Sequence, residues 1–262
     1  MRRFGGLYCC RVEEACALVL SRRRTVGSSS RHSGSLARFV LMQADQYSRS
    51  DGTIQVWDLQ ARRCISSLKP HTAQITSIKF SPDRRLFSAS CDGSVLIAEL
   101  DNKYKMVSPA KLFHHNHTLD EIMLLPVSDQ YVIRSGDAIR VYANSTGALV
   151  RQIAEHRGMV SSLAVHPNGL LFASGGYECS VIIRSSETFE ALRTIEFSNR
   201  IESVLFDDAE GIYVGVTDRG VVECNTRTGE ILSTMATATG IVNDLALTSS
   251  CKGALCLDVL PS

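Results

Sequence analysis

From Ser50 onward the chain repeats itself at intervals of about 41 residues, and no other feature limits the fold so tightly. The strongest copy, Ser50-Asp-Gly-Thr-Ile-Gln-Val-Trp57-Asp58, reads as a turn, an alternating apolar strand and a Trp-Asp pair. Cys91 to Glu99 repeats it position for position, and weaker copies run Gly136 to Tyr142, Glu178 to Arg184 and Asp218 to Cys224. The Trp57 position therefore recurs at 98, 142, 184 and 224, spaced by 41, 44, 42 and 40 residues. A second pattern is independent of the first. Ile75 to Phe80, Leu119 to Leu124, Val160 to Val165, Ile201 to Phe206 and Val242 to Leu247 share apolar residues at first, fourth and sixth places, ending at 80, 124, 165, 206 and 247.

Alternation with period two gives a strand one face of which is buried, and turn residues punctuate each unit. Ser81-Pro82-Asp83 and His166-Pro-Asn-Gly169 follow the second pattern, while Asp92-Gly93 precedes the first. Leu86 to Ser90 and Leu170 to Ser174 supply a strand between these turns, and Arg63 to Leu68 or Leu192 to Ile195 supplies an outer one. Each unit thus reads as four antiparallel strands, an all-β class. Equivalent inner strands are predicted at 75–80, 121–125, 160–165, 201–206 and 242–247.

A unit of 40–45 residues with four strands and a Trp-Asp mark resembles the WD-repeat family. The resemblance implies a β-propeller over residues 50–262 with about five blades. Seven is the common number in that family, so the expectation is an incomplete or open ring whose exposed strand edges invite partners. In that family a His before the inner strand, a Ser or Thr in the next, the turn Asp and the strand-end Trp form a hydrogen-bonded ladder. Carried over, the ladder residues are Asp51 and Trp57 in the first unit, His71, Ser88 and Asp92 in the second, and His156 and Ser174 in the fourth. Ala98 stands at the Trp position of the second unit, and Glu178 and Arg184 replace Asp and Trp in the fourth.

Residues 1–49 have another texture, with Arg2-Arg3, Arg22-Arg23-Arg24 and Ser28-Ser29-Ser30 and no strand alternation. Arg- and Ser-rich stretches suit a mitochondrial transit peptide, but Glu13 and Glu14 oppose that reading. The alternatives are a disordered basic arm and an extension from a mis-assigned translation start.

A net charge of +1 provides no global field for nucleic acid or an anionic membrane. Nine cysteines, an odd count without any CxxC pair, fit free thiols in a reducing compartment rather than a disulfide framework. Cys64, Cys91, Cys179, Cys224, Cys251 and Cys256 sit in or beside apolar runs and read as small buried hydrophobes. No apolar run reaches the roughly 18–20 residues that span a bilayer. His114, His115 and His117 cluster beside Asp120 and Glu121, but without a second ligand set they read as a polar connector. Asp207-Asp208 reads as a turn. The chain has no GxGxxG, GxxxxGK[ST] or GxSxG.

The reading is therefore a scaffold that binds proteins within a larger complex, with no catalytic residue, cofactor, metal, membrane contact or small-molecule substrate, in the nucleus, nucleolus or cytoplasm. SDGTIQVWDLQARRC (50–64), HTAQITSIKFSPD (71–83), DEIMLLP (120–126) and SGDAIRVYANSTGALV (135–150) are similar, in order, to transducin-β-like subunits of the small-subunit processome. That likeness implies a place in a nucleolar ribonucleoprotein that processes pre-ribosomal RNA. The other readings are a cytoplasmic adaptor and a propeller-based enzyme.

Overall fold

The computed structural model describes residues 2–4, 7–9, 18–19, 39–41, 52–58, 63–101, 105–207, 210–235, 241–247 and 254–260. Every helix or strand among them is a strand. Four sheets have four strands each, joined in sequence order by antiparallel hairpins. Blade 2 comprises Ile75–Phe80, Arg85–Ser90, Ser94–Leu100 and Met106–His114. Blade 3 comprises Glu121–Leu125, Gln130–Ser135, Ala138–Ala143 and Leu149–Ile153. Blade 4 is Val160–Val165, Leu171–Gly176, Ser180–Ser185 and Ala191–Glu196. Blade 5 is Ile201–Phe206, Gly211–Val216, Gly220–Asn225 and Ile231–Met235.

Before them lies a three-stranded sheet, blade 1, of Phe39–Leu41, Ile54–Asp58 and Arg63–Leu68. After them comes a hairpin of Ile241–Leu247 and Ala254–Leu260. Arg2–Phe4, Leu7–Cys9 and Leu18–Val19 form a separate small sheet. The five segments expected to be equivalent inner strands are each the first strand of a sheet. Strand pairing begins earlier than residue 50, since Phe39, Val40 and Leu41 pair with Trp57, Val56 and Gln55. The chain divides into two compact units, residues 1–122 and 123–262, with the boundary inside the first strand of blade 3.

The Trp57 position keeps one pairing register in every blade. Trp57, Ala98, Tyr142, Arg184 and Cys224 pair across the sheet with Phe39, Leu86, Tyr131, Phe172 and Ile212. In blades 1, 3, 4 and 5 the register toward the outer strand slips at the step into this position, between Val56 and Trp57, Val141 and Tyr142, Ile183 and Arg184, and Glu223 and Cys224. Such bulges add local twist, so the repeat fixes where each blade coils as well as what it buries.

Burial runs from blade to blade. In the 123–262 unit the first strand of blade 4 lies against that of blade 5, which in turn lies against Ile241–Leu247. One apolar cluster joins Met123, Leu125, Val132, Val141 and Ile153 of blade 3 to Val160, Leu163, Phe172 and Phe189 of blade 4. The next joins Ala173, Val181, Ile183 and Ile195 to Ile201, Val204, Ile212 and Val214. At roughly 1.5–3 kcal/mol for each fully buried aliphatic or aromatic side chain, these seams are the main stabilising term. A bare backbone at Gly175 permits the close approach: a Cβ there would lie 2.5 Å from Ile201 Cγ2. In the 1–122 unit, Ile54 of blade 1 packs with Ile75, Ile78, Leu86, Leu96 and Ala98 of blade 2.

Candidate functional site

In blade 2 the turn into the first strand delivers His71 to a site sealed from water, at 1% exposure. Its Nδ1 lies 2.7 Å from Ser94 Oγ and its Nε2 2.7 Å from Ser88 Oγ. Asp92, in the Asp-Gly turn, accepts Ser94 N–H at 2.8 Å, Thr72 N–H at 2.7 Å and the Ser94 hydroxyl at 2.5 Å. Asp92 Oδ2 stays 3.8 Å from His71 Nδ1, so Ser94 relays between carboxylate and ring. Burial lowers the His71 pKa against the opposing pull of Asp92, with His114 reinforcing the drop. A neutral ring fits the network: Nδ1–H donates to Ser94, Ser94 donates to Asp92, and Ser88 donates to Nε2. Burial alone would raise Asp92, but the hydrogen bonds from Ser94 and Thr72 and the nearby His71 outweigh it and hold the carboxyl far below its usual range.

Blade 4 builds the same device with a longer acid. His156 Nε2 lies 2.7 Å from Ser174 Oγ, and Nδ1 donates directly to Glu178 Oε1, which also accepts the Ser180 hydroxyl at 2.9 Å. The extra methylene of Glu178 spans the distance that Ser94 bridges in blade 2. Burial opposes ionisation of Glu178, but the bonds from His156, its own backbone and Ser180 hold its pKa below the ordinary value. Arg184, at the Trp position, is fully buried; its Nη1 donates to Glu155 Oε2 at 2.9 Å, while Nε and Nη2 lack a hydrogen-bond partner among the described residues.

The polar device alternates with an apolar one. Ser88 and Ser174 correspond in register to Ile133 of blade 3 and Val214 of blade 5, both fully buried. The structure thus brings His71, Ser88 and Asp92 together, and separately His156 and Ser174. Asp51 lies outside the described residues; Trp57 lies in a strand, and its side chain is outside them too. Sequence reading missed Ser94 and Ser180, although each stands two residues after the turn acid, where a hydroxyl reaches back to it.

Two further features recur between blades. Arg151 Nη1, from the outer strand of blade 3, donates to Thr188 O in the last hairpin turn of blade 4 at 2.7 Å; Arg193 of blade 4 donates likewise to Thr228 O of blade 5 at 3.0 Å. Beside the second clip lies a cleft of about 400 Å³ lined by His166, Leu171, Ile183, Arg193, Thr226 and Arg227, among others. At its mouth Arg227 Nε is 3.2 Å from Glu210 Oε1.

His115 and His117 stack at 5.8 Å, and burial, then His117 and His114, push the His115 pKa down to about 4. No three His, Cys, Asp or Glu among the described residues are placed to share a metal ion. Asp207 accepts Gly211 N–H at 2.9 Å in its turn; Asp208 lies outside the described residues. The cysteine reading needs correction. Only Cys224 of the four described free cysteines is buried, whereas Cys91 caps a turn and Cys64 sits near the start of an outer strand, both exposed, and Cys179 is intermediate at a left-handed φ of 70°. Proximity to an apolar run did not place those side chains on its buried face.

The WD domain, G-beta repeat model matches residues 62–97 and 147–185. Each match runs from the outer strand of one blade through three strands of the next, and the two contain His71 with Ser88 and His156 with Ser174. Among similar proteins, eukaryotic translation initiation factor 3 subunit I of Anopheles gambiae is 30% identical over 142 residues, covering 48% of this chain and 42% of that protein. The Caenorhabditis elegans periodic tryptophan protein 2 homolog is 24% identical over 178 residues, covering 66% of this chain and 19% of its own length. Rat striatin-3 is 28% identical over 144 residues, covering 50% and 18%. The chain spans less than half the length of each of these relatives.

Proposed function

We propose that this chain of WD40-type repeats is a non-catalytic docking scaffold within a multi-subunit assembly. One observation carries the reading: every four-stranded blade presents large apolar side chains to water on its outermost strand. They are Val107 and Leu112 in blade 2, Leu149 and Val150 in blade 3, Leu192 in blade 4, and Ile231, Leu232 and Met235 in blade 5, each between 39% and 56% exposed. Exposed apolar side chains recurring at one place in a repeat mark contact surface. The groups with displaced pKa values in the ladders, by contrast, are spent internally: His71, Asp92 and Glu178 hydrogen-bond within their own blades. Repeat scaffolds use rigid blades in this way to hold several partners.

The narrower reading is a protein of the small-subunit processome, engaged in pre-ribosomal RNA processing in the nucleolus; the ordered segments between Ser50 and Val150 support it. The relatives named as subunits of translation initiation factor 3 support a second reading, a place in the translation apparatus. Sedimentation of a lysate with the chain tagged at its own locus separates these. A scaffold migrates far ahead of a free 28.7 kDa chain. Nucleolar signal with stalled small-subunit RNA on depletion selects the first reading; cytoplasmic signal with normal RNA selects the second; and sedimentation as a free monomer contradicts both.

A further inference from the structure

The cleft between blades 4 and 5 corresponds in register to a place that the chain fills with its own Phe189 ring one repeat earlier. In blade 4 the turn before the outer strand ends on Phe189, whose N–H donates to Ser185 O at 3.0 Å with φ of 63°. The same turn in blade 5 ends on Gly229, whose N–H donates to Asn225 O at 2.8 Å with φ of 78°. Phe189 tucks its ring between blades 3 and 4. It is 6% exposed, edge-on to Phe172 with centroids 6.3 Å apart, beneath the Arg151 guanidinium at 5.9 Å, and packed with Leu125 and Val141. Register fixes the counterparts between blades 4 and 5. Ile183 and Arg193 pair as Val141 and Arg151 do, and His166 lies 41 residues after Leu125. These three line the cleft of about 400 Å³, and Gly229 leaves it without a ring.

We propose that this cleft takes an aromatic side chain from a partner polypeptide, lying beneath the Arg193 guanidinium beside Ile183, as Phe189 lies beneath Arg151 in one apolar cluster with Val141. The proposal rests on the scaffold reading and gives one of its contacts a chemistry. The cleft has the size of a ligand site, with apolar surface from Leu171, Ile183 and Leu192 and a polar surround that includes Arg193, Glu210 and Arg227. A flat ring suits it: aromatic side chains combine large buried area with little conformational entropy and attract a guanidinium over the ring face. Arg193 is held ready, because its bond to Thr228 O fixes the guanidinium at the cleft rim before any partner arrives.

The test uses the full chain and the blocked peptide Gly-Ser-(4-fluorophenylalanine)-Ser-Gly, followed by fluorine NMR, with the alanine peptide, which carries no fluorine, read as a competitor of that signal. Binding is expected to weaken at least tenfold when alanine replaces the aromatic residue. Gly229→Phe should weaken it by a similar factor, since it restores the chain's own ring at a φ the fold already tolerates at Phe189. Equal affinity within twofold for either change overturns the proposal. A benzoylphenylalanine version of the peptide locates the site on the wild-type chain, whether or not the variant folds. Photocrosslinks to residues 166–171, 183–193, 210 or 226–229 support the proposal, and crosslinks elsewhere overturn it. A chain that co-purifies with its assembly but shows no aromatic preference sinks this inference and leaves the scaffold reading standing.

Discussion

The Arg151 guanidinium reaches across a blade boundary to donate to the Thr188 carbonyl at 2.7 Å, and 42 residues later Arg193 does the same to Thr228. The acceptors are backbone carbonyls in hairpin turns, so the clip depends on turn geometry and not on a neighbouring acid. Arg151→Ala and Arg193→Ala are each expected to destabilise by about 0.5–1.5 kcal/mol. Arg151 should cost more, because it also covers the Phe189 ring. Urea unfolding with and without 0.5 M salt checks this. A loss that vanishes in salt would show that the clip acts as an exposed ion pair.

Phe189 combines two opposed terms, a positive φ and a fully seated ring. Truncation should cost about 3–5 kcal/mol in Phe189→Ala, which loses the ring and keeps the strain. Phe189→Gly loses the same ring but relieves about 1 kcal/mol of backbone strain. Equilibrium unfolding should therefore rank glycine above alanine at this position. The reverse order would mean that the turn does not hold the left-handed conformation.

The buried serines are expected to matter more than their size suggests. Ser174→Ala leaves His156 Nε2 without its hydroxyl and should cost about 1–3 kcal/mol, and Ser88→Ala should do the same to His71. At the corresponding position of blade 3, Ile133→Ser should also destabilise, because it sets a hydroxyl where the fold provides an apolar site. Thermal melts of the three variants decide the matter; a neutral Ser174→Ala would show that the ladder is incidental to blade 4.

Acid should weaken the fold in two stages. His71 and His115 have folded pKa values below their unfolded 6.5, so the unfolded chain binds more protons and stability falls as pH drops below about 6.5, toward about 4 for His115. Asp92 and Glu178 are depressed carboxyls, whose contribution is intact above their unfolded values of 3.8 and 4.5 and is lost as pH falls through the folded ones. Denaturant midpoints between pH 7 and 3 should show both limbs, and His115→Asn should flatten the upper one. A midpoint constant from pH 7 to 4 would contradict the assignment.

Strand order and blade register were legible in the sequence because burial between stacked sheets needs apolar residues at fixed spacing, as Ile75 to Phe80 and Ile201 to Phe206 show. The ladders were half legible. His71, Ser88 and Asp92 follow a recognisable pattern, but the relay through Ser94 depends on a side-chain length that only geometry reveals. The cleft was invisible, since no residue pattern announces it, and the turns that end on Gly147, Phe189 and Gly229 otherwise read alike. The strand Phe39–Leu41 was also missed, because three residues without alternation give no period to detect.

If these blades hold other proteins, affinity purification of the tagged full chain at native level, quantified by mass spectrometry, should recover a small set of partners in near-equal amounts to the chain, with at least one lost when Gly229→Phe fills the cleft and the others retained. Recovery of the chain alone, or with general chaperones only, would show that they do not.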